Sequence, residues 1–378
     1  MGAVRSYDLV VVGGGIIGAS VAWGALRTGA SVAVIDGDDG DFRASVGNFG
    51  LLWVQGKGVG APHYAALTQA SARAWPEFSA ELGERTGVDI GYRGGGGFQF
   101  ILSPAEKDRH VSQAERLQAE SGDIGMRFVD GDTLRREYPF IGPEVLGAIR
   151  GTLDGDVNPL ALLSALHRVL QLGGATFFRG DKVRVIRPEG GGFAVDTGER
   201  RVTAGRLVIA AGLAGADLAR QAGIDLALFP QRGQVMVTER ARPFLSIVNS
   251  SVRQNAEGTL MMGSTQENVG FDKSVAPASL ARMARRAATI FPDLARLRIV
   301  RFWACLRVMT PDGLPIYAQS SRHPGAYAVT AHGGVTLAAV NAGVFAPAIL
   351  EGGLPPAMAG FPPDRFGDWQ SHAGGTEH

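Results

Sequence analysis

The sequence predicts an α/β (α+β) fold in which an antiparallel sheet is inserted into a mainly parallel one, and three observations predict it. Residues 9–12, LVVV, form the short, β-branched apolar run of a strand buried on both faces of a parallel sheet, and they lead straight into Gly13-Gly14-Gly15-Ile16-Ile17-Gly18. Beyond Pro230 the runs "RGQVMVTE", "SIVNSSVRQNAEGTLMMGST" and "RIVRFWACLRVMT" read as longer antiparallel strands, with Ala256-Glu257-Gly258 as a hairpin turn. Finally, "GAYAVTAHGGVTLAAVNAGVFAPAIL" repeats the opening logic of strand, glycine turn and apolar helix, and no linker longer than a loop separates the parts. A Rossmann-like dinucleotide-binding domain, interrupted by an antiparallel-sheet substrate domain, satisfies all three.

Each part of the opening unit has a physical reason. Gly13 permits the tight turn, Gly15 lets a pyrophosphate approach the backbone, and Gly18 lets the helix lie close to the strand. The helix N-terminus then faces the phosphates. Ala19, Ala22, Trp23 and Leu26 continue at helical spacing, and Thr28-Gly29 ends the helix. Residues 31–35 read as the second strand, closing on Asp36, whose carboxylate accepts ribose hydroxyls and disfavours a 2′-phosphate. The motif leaves FAD and NAD both open.

The later elements follow the same grammar. Residues 64–82 are helical, with Leu67, Ala70, Trp75 and Phe78 on one face. Gly94 to Gly97 enter a strand, "SPAEKDRHVSQAERLQAESG" is a solvated helix, and "PLALLSALHRVLQLGG" is a helix with Pro159 in its first turn. "KVRVIRPEGGGFAVDTGERRVTAGRLVIAAG" is a meander of short strands.

Composition narrows the function. The chain has 378 residues, enough for two domains, and its 54 glycines are dispersed, which means tight turns and close backbone approaches rather than low complexity. A net charge of +1 gives no electrostatic case for nucleic acid, and no apolar run is long enough to span a membrane, so a small neutral or zwitterionic ligand is expected. One cysteine, Cys305, excludes a disulfide framework, a Cys-based zinc site and a Cys-ligated cluster held by this chain, so no metal is expected. No secretory leader is read at the N-terminus, and a reducing, cytoplasmic location is the simpler expectation.

The order of motifs resembles the D-amino-acid oxidase family of FAD-dependent oxidoreductases, in the branch of glycine oxidase, sarcosine oxidase and the flavoprotein subunits of hydroxyproline, opine and cyanide-forming dehydrogenases. Its carriers are "VVVGGGIIGAS" with "VIDGD", "ASVGNFG" at 44–50, "GDVNPLALLSAL" at 155–166, "VIAAG" at 208–212, "PQRGQ" at 230–234, "LRVMTPDGLPIYA" at 306–318 and "AHGGVTLA" at 331–338. The resemblance implies FAD, and a discontinuous FAD-binding domain of residues 1–90, 145–225 and 306–378 roofed by a substrate domain of 91–144 and 226–305. It implies cofactor contacts at Gly13, Gly15, Ile17, Gly18 and Asp36, at Ser45 and Asn48, at Val183 through its backbone on adenine, and at Ala211 and Gly212. Gly333, Gly334, Val335 and Thr336 match the turn at the pyrimidine end of the flavin.

The implied chemistry is oxidation of a carbon next to an amine by hydride transfer to flavin N5, with the protein orienting the substrate. Arg307 matches the arginine that holds the substrate carboxylate, for which a planar guanidinium is suited. His332 either contacts the flavin or substrate, or only caps the turn. Cys305 falls where some sarcosine oxidases attach flavin covalently, but Arg307 stands where that pattern has Tyr, and a buried unreactive thiol is expected instead. Arg253 is expected to be solvent-exposed, the alternative being contact with a second substrate anion. Trp53 is expected to be a core anchor, while Lys57 is left open between a solvated loop charge and a group facing the flavin or an acceptor subunit. The partners implied are an amino acid or amine substrate, O2 or an electron-acceptor subunit, and homo- or hetero-oligomeric contacts. An NAD-dependent dehydrogenase and a non-catalytic flavin-binding subunit are the competing classes.

Overall fold

The computed structural model describes residues 5–37, 43–263, 265–367 and 369. Its largest sheet has the strand order Ile316–Gln319, Ala326–Thr330, Arg201–Ile209, Arg5–Val12, Val32–Asp36 and Thr176–Arg179, with Gly192–Asp196 and Val185–Glu189 joined to it as an antiparallel ribbon. The five strands from Ala326–Thr330 to Thr176–Arg179 run parallel. Leu9, Val10 and Val11 have no exposed surface, as expected of a strand covered on both faces. The helix Ile16–Arg27 lies close to the sheet because Gly18 lacks a side chain, and close to the C-terminal helical stretch because Gly24 does. A Cβ on Gly24 would stand 2.1 Å from the carbonyl oxygen of Ala342 in the C-terminal helical stretch.

A four-stranded antiparallel sheet has the order Val252–Gln254, Thr259–Gly263, Phe229–Arg240 and Ile299–Met309. One of its faces packs on the helix Pro277–Ile290 through Met236, Leu260 and Met262 against Ala287 and Ile290. The same core takes in Phe98, Phe100 and Ala148 from a three-stranded sheet of Gly97–Ile101, Gly147–Gly151 and Arg127–Asp130. A two-stranded ribbon, Leu51–Leu52 with Gly155–Asp156, lies in chain order between the largest sheet and the three-stranded one.

Three differences from the sequence reading have local causes. The helix expected over 64–82 runs Pro62–Thr86, and its buried face uses Ser71 rather than Ala70, which is exposed. Ser71 tolerates burial because its Oγ donates to the carbonyl oxygen of Thr336 at 2.6 Å. The last helix is interrupted: a π turn, Asn341–Phe345, separates Ala338–Val340 from Ala346–Glu351. Pro347 follows that turn and has no amide to offer the carbonyl of Gly343, so the regular ladder cannot continue through it. Among the described residues no helix is long and apolar enough to cross a membrane.

Candidate active site

The glycine turn is built as its residue types require. Gly13 has φ +104°, and a Cβ there would lie 2.5 Å from the carbonyl oxygen of Ala210. At Gly15 a Cβ would meet Ser45 Oγ at 2.7 Å, and at Gly18 the carbonyl oxygen of Gly13 at 2.0 Å. The Ser45 hydroxyl accepts from the Ile16 amide at 3.0 Å, which leaves its own proton free to donate onward. Asp36 accepts from the Gly14 amide at 2.5 Å and from Arg43 at 2.6 Å. Arg43 and His167 are parts of this corner that sequence reasoning missed. His167 Nε2 donates to the carbonyl oxygen of Gly14 at 2.7 Å while Nδ1 accepts from Arg179 at 3.2 Å, and burial lowers the affinity of this ring for a proton.

A cavity of ≈ 610 Å³ runs from this corner to Leu306 and Val308 of the strand Ile299–Met309. Asp36 and Val183 line one end; Gly13, Gly15, Ile17 and Ser45 lie along it with Ala211 and Gly212; Asn48, His332, Gly334 and Val335 line it toward the antiparallel sheet. Asn48 is held by its Nδ2 donating to the Ser45 carbonyl at 3.0 Å, and its Oδ1 is buried without a partner. A long ligand with phosphates near its middle fits: glycines clear the backbone, a helix N-terminus and a hydroxyl face it, and an orphaned amide oxygen awaits a donor. Lys182, Phe271 and Lys273 also line this cavity and carried no signal in the sequence.

Gly18, Gly333, Thr336 and Arg307 do not line that cavity. Thr336 is fully buried and acts as a clamp. Its Oγ1 accepts from the Trp53 amide at 3.1 Å and from Lys57 Nζ at 3.2 Å, and its carbonyl accepts from Ser71 and from Trp75 Nε1 at 3.1 Å. Gly333 is the neighbour that makes room: a Cβ there would stand 2.7 Å from Lys57 Nζ. The Trp53 ring lies over Gly97, but it is half-buried and belongs to none of the hydrophobic clusters of the described residues, so the expectation of a core anchor is corrected.

Arg307 comes from the strand Ile299–Met309 and lies over Gly233 of the neighbouring strand. Its hydrogen bond is to the carbonyl oxygen of Arg232 at 3.3 Å, and among the described residues no carboxylate pairs with it. His332 is pushed down to about 3, chiefly by burial and then by the charges of Lys57 and Arg307, so it is a neutral imidazole at neutral pH. Burial likewise brings Lys57 down to about 8 and lowers Arg307. The charges of Lys57 and Arg307 are thus both felt at one neutral ring.

Cys305 is 6 % exposed and its thiol donates to the carbonyl oxygen of Gly47 at 3.3 Å, while burial raises its pKa. The expectation for Arg253 is corrected: it is 3 % exposed, because Phe49 O, Asn255 Oδ1 and Met261 Sδ take its donors. It shares a sheet face with Arg307, but register puts it three strands and six residues away. At about 4.8 Å per strand and about 3.4 Å per residue, the backbone separation is roughly 25 Å, too far for one small substrate to bridge.

A glycine turn at a helix N-terminus, opening into one cavity long enough for a dinucleotide, is the arrangement of a flavin-dependent oxidoreductase. Residues 8–346 match the DAO family, described as FAD dependent oxidoreductase, and the chain belongs to that family. FAD is its cofactor, and amino acids or amines are its class of substrate. It is similar to a subunit of the opine oxidase of Rhizobium meliloti, 40% identical over 364 residues that cover 95% of this chain and 97% of that protein. Glycine oxidase of Geobacillus kaustophilus is 26% identical over 334 residues, 86% of this chain and 88% of the enzyme. The crystal structure of glycine oxidase from Geobacillus kaustophilus superposes with a TM-score of 0.86 at 24% identity, covering 96% of this chain and 99% of that one, and shows the shared fold.

Proposed function

We propose that this chain is the flavoprotein subunit of an enzyme that oxidises the C–N bond of a small amino acid, imino acid or secondary amine, with opine-type secondary amines foremost. The observation that carries the reading is Arg307, a largely buried guanidinium with one hydrogen bond and no carboxylate partner, on the strand whose Leu306 and Val308 line the cavity. Five N–H donors in a fixed fork match a substrate carboxylate, and taking one in relieves the cost of the unmatched charge. FAD, when bound, accepts the hydride from the carbon next to nitrogen; the nitrogen lone pair closes the C=N bond, and water splits the imine to an amine and a carbonyl compound.

The residues divide the remaining work. Arg307 fixes which C–H faces inward. His332, being neutral, offers a lone pair to a substrate N–H rather than a proton. Asn48, Ser45 and the Gly13–Gly18 turn would hold the cofactor, and the antiparallel sheet would close over it as the inserted substrate domain. That the relatives at 40% identity are named as one subunit of an oxidase supports a partner chain in the working enzyme, and the choice of electron acceptor, O2 or that partner, is what the reoxidation arm of the test reads. An anaerobic bleaching screen over glycine, sarcosine, D-amino acids, proline derivatives and opines, repeated with O2 and with a dye, tests this. Bleaching by a secondary amino acid, with reoxidation by dye faster than by O2, is expected; flavin that none of these compounds reduces would overturn the reading.

A further inference from the structure

Lys57 has more donors than the protein gives it acceptors. It closes a turn by donating its amide to the Val54 carbonyl at 3.0 Å, and Asp154 pins that turn by accepting from the Val54 amide at 2.8 Å, the Gln55 amide at 3.2 Å and Gln55 Nε2 at 2.8 Å. Asp154 is thereby engaged on that turn and, although its charge is felt at Lys57, no ion pair forms between them. The Lys57 stem reaches the last glycine turn, where Nζ donates to Thr336 Oγ1 at 3.2 Å. An ammonium carries three donors, and among the described residues no carboxylate pairs with this one.

Arg307 is in the same condition, with one hydrogen bond to a backbone carbonyl and the charge of Glu267 felt without an ion pair, because Glu267 is engaged by Arg232, Gln234 and Ser279. Both side chains keep accessible surface although they lie deep in the protein, and each stands beside residues that line the cavity: Leu306 and Val308 on either side of Arg307, and His332 and Gly334 on either side of the Gly333 that Lys57 abuts. The charges of both cations reach the His332 ring. A monocarboxylate would compensate one of the two and leave the other buried and unmatched, whereas a dianion compensates both.

We propose that Lys57 is the receptor for a second substrate carboxylate and that it selects dicarboxylic secondary amines over monocarboxylic ones. This rests on the reading that Arg307 takes the first carboxylate. The substrate class is then an N-carboxyalkyl amino acid, with one carboxylate on each arm of the nitrogen. Oxidation and hydrolysis of such a compound return an amino acid and an oxo acid.

Two ligands that cannot be oxidised at a C–N bond provide the test: thiodiacetate, with two carboxylates, and (methylthio)acetate, with one. Binding to the FAD-loaded protein is followed by the perturbation of flavin absorbance. Wild type should bind thiodiacetate at least about tenfold more tightly than (methylthio)acetate, Lys57→Arg should keep that ratio, and Lys57→Met should bring it near one. A wild-type ratio near one, or a ratio that Lys57→Met leaves intact, overturns the proposal. An intact ratio accompanied by a changed flavin potential would reassign Lys57 to the cofactor. Should Lys57→Met fail to retain FAD, the wild-type ratio together with Lys57→Arg decides. If Arg307→Leu weakens neither ligand, it is the first-carboxylate reading that falls.

Discussion

Arg307 and Gly233 are in direct contact: a Cβ on Gly233 would stand 2.7 Å from Cζ and from both terminal nitrogens of the guanidinium. Gly233 sits in a regular strand, paired in register with Cys305, and its backbone is not in the left-handed region. What the missing side chain protects is the resting place of the Arg307 head group. Gly233→Ala should therefore leave the fold and the flavin content intact while lowering kcat/KM for carboxylate substrates by about tenfold or more, the consequence of about 1.4 kcal/mol lost from a displaced contact. Unchanged kinetics in a protein of normal thermal stability would show that the position of the guanidinium does not matter.

Removing the guanidinium is the stronger version of the same experiment. Arg307→Leu should retain FAD and lose about 2–5 kcal/mol of affinity for carboxylate substrates, the range for one partner of a buried charged pair left unmatched. Substrate titrations of the anaerobic protein measure it. An affinity within a factor of two of wild type would take Arg307 out of the site.

At the other end of the cavity, Gly15→Ala should cost flavin rather than turnover. Its Cβ would press on Ser45 Oγ at 2.7 Å, and Ser45 is the residue that accepts from the Ile16 amide at the helix start. The expected result is a folded protein purified with little FAD and a raised Kd for added FAD. Full flavin occupancy in Gly15→Ala would refute the assignment of this turn to the cofactor.

The parts of the molecule legible in the sequence are those in which residue identity answers a backbone demand. Gly13, Gly15 and Gly18 are readable because nothing larger fits, and Asp36 because it ends the second strand at a fixed distance from them. Arg43 and His167 were not readable, because their value lies in tertiary partners: His167 meets a carbonyl 153 positions away and sits in a helix whose pattern is simply amphipathic. Lys57 shows the same limit, since a lysine among glycines reads as a loop charge until Gly333 and Thr336 are folded against it. Arg253 misled for the converse reason: charge suggested exposure, while a carbonyl, an amide and a thioether from three neighbours bury it.

His332 supplies a pH prediction whose sign is fixed by its environment. Its folded pKa is depressed to about 3, below the ordinary histidine value, by burial and by Lys57 and Arg307. Between the unfolded and folded values, the unfolded chain binds a proton that the folded chain refuses, so the folded state loses stability as pH falls from about 6.5 toward 3. His332→Gln should remove that part of the acid sensitivity, read as a flatter dependence of Tm on pH. In the wild type the His332 ring resonances should not shift between pH 5 and 8; a midpoint near 6.5 would mean that the ring is charged in the site.

Cys305 should prove inert. A thiolate is the nucleophile that would bond to flavin, and here burial raises the thiol pKa while its hydrogen bond goes to the Gly47 carbonyl at 3.3 Å. Gly47 also crowds the sulfur, since a Cβ there would stand 3.1 Å from Sγ, and no described hydrogen bond gives the thiol a base. Arg307 favours the thiolate electrostatically, but it is the smaller influence. Acid precipitation should leave the yellow colour in the supernatant, and a thiol reagent should label Cys305 only at the rate of unfolding. A yellow pellet would show instead that the flavin is held through sulfur, and fast labelling of the native protein would show that the thiol is free and accessible.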